Sequence, residues 1–189
     1  MRFEKDITAC IKILQRGGII LYPSDTVWGL GCDATSKEAV EKIFSVKKRK
    51  KEKSFIILVS DQTMLAKYVK EVSEKARRLI KTETQPLTII YENVMNLPEN
   101  IMAKDGSVGI RIPKDAFCLK LIEQFGKPIV STSANVSGEN IPANFLEISI
   151  EIKTQADYTV KYKQDETTQK KPSSVVKILP DGEIITLRK

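Results

Sequence analysis

The sequence predicts an α/β or α+β domain built on a mixed sheet. Two observations carry this: helical and strand patterns alternate from Ile7 to Thr132, and a hairpin pattern closes the chain around Pro180-Asp181-Gly182. A third bounds it, since 189 residues with 41% hydrophobic content can bury one substantial core, so a single domain over 1–189 is expected.

The elements follow in order. Ile7, Cys10, Ile11 and Leu14 recur at helical spacing and stop at Gly17-Gly18, after which Ile19–Tyr22 form a strand. Thr35 and Glu38 fit a capping box ahead of a helix with Ala39, Val40, Ile43 and Phe44 on one face, fraying near Lys47. Phe55–Val59 is a strand, two short helices follow at 62–70 and 74–81, and strands are expected at 87–91 and 107–112. Asp115 caps a helix ended by Gly126 and Pro128, and Ile129–Thr132 is a strand. Asn144 is expected to cap a helix over 145–153, although Ile148, Ile150 and Ile152 also alternate like a strand. The polar stretch 162–171 looks like a mobile connector or lid, and 174–179 with 184–187 form the closing hairpin.

Composition excludes several chemistries. No apolar run approaches the ~18 residues of a spanning helix, and the N-terminus has no cleavable leader pattern, so a cytoplasmic protein is expected. Cys10, Cys32 and Cys118 have neither disulfide-framework nor zinc spacing. Histidine is absent, which removes histidine triads and histidine metal ligands. The net charge is +7, and residues 47–53, KKRKKEK, supply +5 of it, so the positive charge is local. Such a cluster is either a solvated run or a loop folding over a polyphosphate, with Arg49 forking onto phosphate oxygens and Lys47 and Lys53 as point charges.

Four clusters of small polar residues stand beside strands: PSDT (23–26), SVGIR (107–111), STSANVSGE (131–139) and PSS (172–174). Each alone is ordinary turn chemistry. Together they fit one cleft at strand ends, and STSAN in particular offers short donors suited to a nucleotide.

In this order YPSDTVWGLGCDA, the K-x-R pattern at Lys47 and Arg49 followed by Lys53, SVGIRIP, STSANVSGE and PSSVVKI resemble the YrdC/TsaC family of threonylcarbamoyl-adenylate synthases, over about residues 7–188. The resemblance implies a twisted open α/β sheet with a deep, positively charged cavity. It implies an enzyme that combines L-threonine, bicarbonate and ATP into threonylcarbamoyl-AMP and pyrophosphate, feeding a downstream machinery that modifies tRNA. Position by position, it puts Lys47, Arg49, Lys53, Ser107, Ser133, Asn135 and Arg188 on ATP, and Thr26, Arg111, Ser131 and Ser174 on threonine. A structural ion pair is the other reading of Arg111. Mg2+ is expected on the ATP phosphates, and no general base is assigned. Gly29 and Gly31 are expected to let the backbone turn beneath the cavity, Asp25 to anchor the loop, and Trp28, where the family often has tyrosine, to wall the pocket or fill the core.

Ser24 and Ser174 stand where threonine is frequent, and Leu58 where longer members carry histidine. With its end at Lys189 the chain resembles the short form of the family. Two other classes remain: a double-stranded RNA or tRNA-binding module, with weak RNA binding also compatible with catalysis, and a carbamoyl-adenylate-handling domain like that of hydrogenase maturation proteins.

Overall fold

Ile7, Cys10 and Leu14 fall on one face of α1 (Glu4–Gln15) and are buried, so the apolar spacing is spent on the core. The structure, a computed structural model, describes residues 3–49, 54–168 and 170–189. After α1, Gly17 takes φ +69°, a left-handed conformation that ends the helix without a Cβ clash. Chain direction then reverses into β1 (Ile20–Tyr22), every residue of which is buried.

β1 pairs antiparallel with β2 (Gly29–Gly31), a strand that the sequence pattern does not suggest because Gly-Leu-Gly has almost no side chains to alternate. Its glycines serve close approach and not a turn. A Cβ on Gly31 would lie 2.7 Å from the Tyr22 ring and 2.8 Å from the Val130 carbonyl, and one on Gly29 would lie 3.0 Å from the Thr132 carbonyl.

α2 (Lys37–Val46) starts one residue later than the expected capping box. Ser36, not Thr35, accepts from the Ala39 amide at 3.2 Å, while Asp33 Oδ1 holds Thr35 ahead of the helix, accepting from its amide at 2.8 Å and its hydroxyl at 2.6 Å. The helix ends at Lys47 as its pattern indicates. β3 (Ile56–Leu58), α3 (Gln62–Leu65), α4 (Glu74–Thr82), β4 (Leu87–Tyr91) and β5 (Val108–Arg111) follow, with a 3-10 turn at Glu99–Ile101. α5 (Ala116–Phe125) is capped by Asp115, which accepts from the Cys118 amide at 3.1 Å, and ends at Gly126 with φ +76°. β6 (Ile129–Ser133) runs back through the core.

The expected helix at 145–153 is shorter and later. Asn144 does accept from the Leu146 and Glu147 amides, but it makes only a turn, and α6 (Ile150–Gln155) begins after its own cap, Ser149. Ile148 is buried in between while Leu146 is 71% exposed, so no continuous apolar face links the two caps. β7 (Tyr158–Thr159), β8 (Ser174–Ile178) and β9 (Ile184–Arg188) complete the chain.

Among the described residues the sheet order is β7-β1-β2-β6-β3-β5-β4-β8-β9. The pairs β1–β7, β3–β5 and β4–β8 are parallel and the others antiparallel, which makes the twisted open sheet mixed, with helices on its flanks. The first part of the polar 162–171 stretch is fastened in place. Buried Asp6 accepts from the Lys161 and Tyr162 amides and from the Tyr158 hydroxyl, Tyr162 packs on Phe3 and Phe117, and Lys163 pairs with Asp115 at 2.9 Å. No helix among the described residues is long and apolar enough to cross a membrane.

Candidate functional site

The 23–27 loop leaves β1 with its hydroxyls turned inward. Ser24 Oγ donates to the Val27 carbonyl at 2.8 Å, so its 2.9 Å contact with Thr26 is made by the Thr26 proton. That leaves the Thr26 oxygen as an acceptor, and Arg111 Nη2 lies 3.4 Å away. Asp25 ties the loop down: one carboxylate oxygen pairs with Arg111 and the other accepts from the Lys114 amide at 3.0 Å. Arg111 is 3% exposed, and its Nε has no partner. A buried guanidinium with an unpaired N–H is an open seat for an acceptor.

Arg111 and Thr26 stand on the wall of a cavity of 160 Å³. Besides Arg111 at the end of β5, five stretches distant in sequence meet there: Thr26, Val27 and Gly29; Arg49 with Ser54–Ile56; Ser131–Ser133 at the end of β6; Pro172 and Ser173 entering β8; and Arg188 at the end of β9. Ile141 stands at the same wall. Six hydroxyl side chains and three guanidiniums face it, and none of the described lining residues is a carboxylate. The volume is below the ~300–1,000 Å³ usual for a small-molecule site, so a larger ligand would extend beyond its mouth.

The cations are held from behind. Arg49 donates to the Ser54 carbonyl at 2.8 Å and lies over the Phe55 ring at 4.9 Å. Arg188 donates through Nε to the Ser173 carbonyl at 2.9 Å and through Nη2 to the Ser173 hydroxyl at 3.3 Å. Burial, and then the charge of Arg111, pull the Arg188 pKa downward, so positive charges crowd a partly desolvated space. Burial does the same to Arg49. Such a site favours an anion that relieves the repulsion.

The structure brings Thr26, Arg49, Arg111, Ser131, Ser133 and Arg188 together on this cavity. Asn135 stands one step back, with its Oδ1 2.5 Å from Ser133 Oγ and its amide donating to the Glu139 carbonyl. Ser107 lies away from the described lining, in a turn where its amide donates to Asp105. Lys53 lies outside the described residues. Lys47, expected among the phosphate ligands, is 1% exposed and turned into the protein, where its ammonium meets the carbonyls of Ser133 and Asn135.

The structure places Ser173, and not Ser174, on this cavity. Neighbouring side chains in a strand point to opposite faces, so it is Ser173 that enters the cavity, bonded to Thr88 at 2.8 Å, while Ser174 faces the other way. Register with β4 shows this, since Thr88 stands opposite Val175 and shares a face with Ser173. Trp28 is buried and packs on Phe145 at 4.8 Å, which makes it core.

The walls can bind a polyanion and a small hydroxyl- or carboxylate-bearing molecule side by side, and they stabilise charge without offering a base. They do not form a magnesium cage: the described residues hold no cluster of three acidic, cysteine or histidine side chains.

Residues 12–189 match the Sua5/YciO/YrdC family model, described as "Telomere recombination". The threonylcarbamoyl-AMP synthase of Pseudoalteromonas translucida is 31% identical over 93% of this chain and 94% of its own length. A putative threonylcarbamoyl-AMP synthase of Methanocaldococcus jannaschii is 34% identical over 94% of this chain and 82% of its own. Among solved structures, P. abyssi Sua5 complexed with L-threonine superposes with a TM-score of 0.85 at 27% identity, covering 98% of this chain. The present chain spans 54% of that longer one.

Proposed function

The chain belongs to the Sua5/YciO/YrdC family, and from that premise we propose that it is a threonylcarbamoyl-AMP synthase acting on L-threonine, bicarbonate and ATP. The observation that supports this most directly is the cavity itself, with three arginines, six hydroxyls and no carboxylate among its described lining. Arg111 and Thr26 are then the seat of the threonine carboxylate and hydroxyl, with Ser131 beside them. Arg49, Ser133 and Arg188 hold the nucleotide. The reading classes the protein as a nucleotidyltransferase of the cytoplasm that supplies the first intermediate for threonylcarbamoyladenosine in tRNA.

In the reaction the threonine amine attacks bicarbonate and water leaves, giving a carbamate. A carbamate oxygen then attacks the α-phosphorus of ATP and pyrophosphate departs. With no base on the described walls, solvent, bicarbonate or a substrate phosphate takes the amine proton. The protein's part is to align carbamate and phosphate and to stabilise charge on the phosphates through its guanidiniums. Magnesium enters with the nucleotide, as part of the substrate.

The test is to incubate the protein with ATP, magnesium, bicarbonate and single amino acids and to measure pyrophosphate and the adenylate. Pyrophosphate release that requires both threonine and bicarbonate is expected. Equal release without the amino acid, or release supported by carbamoyl phosphate in place of threonine and bicarbonate, would overturn the assignment.

A further inference from the structure

Lys47 is among the largest fully buried side chains of the protein, and no described carboxylate pairs with it. Its ammonium instead meets three oxygens of one loop: the Ser133 carbonyl at 2.5 Å, the Asn135 carbonyl at 2.6 Å and Asn135 Oδ1 at 3.4 Å. Its own carbonyl accepts from the Ser137 amide at 2.9 Å, so the residue grips the 133–137 loop from both ends. The loop adds its own ties, Ser133 Oγ to Asn135 Oδ1 and Asn135 Nδ2 to the Glu139 carbonyl. Without the ammonium the Asn135 carbonyl would lose this donor, and the Ser133 carbonyl would keep only the Asn135 amide at 2.9 Å.

We propose that Lys47 is a positioning residue: it fixes the Ser133–Ser137 loop against the C-terminus of α2 and thereby sets Ser133 and, two residues along its own chain, Arg49 on facing walls of the cavity. Lys47 itself does not touch the nucleotide. Burying an ammonium is costly, and burial followed by the charge of Arg49 pulls its pKa down to about 7, with Glu139 acting in the opposite sense. The three carbonyl-type acceptors are what offset that cost. A phosphate ligand would instead keep its ammonium on the cavity wall, where Lys47 is absent.

This inference rests on the nucleotide reading of the cavity, and its test separates the two. Lys47→Met and Lys47→Gln are compared with the unaltered protein by amide hydrogen exchange, by direct ATP binding and by the kinetics of pyrophosphate release. Exchange should rise across residues 133–139 while that of α1 and α5 stays unchanged, with Gln, which keeps an N–H donor, between Lys and Met. The KM for ATP should rise about tenfold or more in Lys47→Met while the KM for threonine changes little. Since Lys47 acts through Ser133 and Arg49, Lys47→Met should add almost nothing further to the loss in ATP affinity of a protein already carrying both Ser133→Ala and Arg49→Ala. Full additivity would make Lys47 an independent ligand and overturn the proposal, and so would unchanged exchange in the loop. Exchange raised throughout the molecule would reduce Lys47 to a general stability role. If the protein failed to bind ATP at all, the synthase reading would fall, while the exchange pattern would still decide whether Lys47 holds the loop.

Discussion

A lysine with its ammonium inside the protein makes stability depend on pH in a fixed direction. Unfolded, Lys47 keeps its proton to about the ordinary 10.5, whereas folded it releases it from about 7. Between those values the unfolded chain binds more protons, so the stability contributed by this residue is lowest below the window and rises with pH across it. Urea unfolding of the protein and of Lys47→Met on either side of the window should show the difference between them moving in favour of the unaltered protein as pH rises. A difference flat in pH would mean that the carbonyls of Ser133 and Asn135 keep the charged form at its ordinary pKa. At this scale the sequence is informative about residue type and poor about direction. Thr26, Arg111 and Arg188 could be picked from their motifs and do line the cavity. Lys47 sits in the same basic run as Arg49, yet only the helix end turns one inward and the other outward. Ser173 and Ser174 differ by nothing but strand parity.

Elements were legible where side chains carry a period. α1, α5, β4 and the closing hairpin follow their apolar spacing and caps closely, because burial and local propensity agree there. β2 was hidden for the opposite reason: it is a strand because its neighbours leave room only for backbone, and that room is set by Tyr22 across one loop and by Val130 and Thr132, far away in sequence. Thus Gly31→Ala should destabilise the protein by ~1–3 kcal/mol, the cost of forcing atoms into a close-packed core. Thermal unfolding would measure it. A methyl accepted without loss would mean that the Tyr22 ring moves freely, and that β2 does not need glycine for its place between β1 and β6. The caps make the same point in miniature, since Ser36 and Thr35 are both good capping residues and Asp33, through the Thr35 amide and hydroxyl, holds Thr35 ahead of the helix.

Across the whole molecule the cavity exists only because distant strands are neighbours in the sheet. Arg111 ends β5 beside the 23–27 loop, whereas Arg188 ends β9 and reaches back over Ser173. On the synthase reading these are two subsites that share a wall, and a substitution in one should report on one ligand. Arg111→Ala should raise the threonine requirement far more than the ATP requirement, while Ser133→Ala and Arg188→Ala should do the reverse. Arg111 demands a further control, because its pairing with buried Asp25 means that removing it strands a carboxylate, which alone can cost ~3–5 kcal/mol. Asp25→Asn combined with Arg111→Ala removes both charges, so the double variant should recover much of the lost stability without recovering threonine use. Titrating each variant with threonine at saturating ATP, and with ATP at saturating threonine, separates the outcomes. Should the double variant regain threonine dependence along with its stability, Arg111 would be a structural ion pair with Asp25 and not the seat of the threonine carboxylate. Matching losses for both ligands in every variant would instead mean that the sheet presents one site and not two.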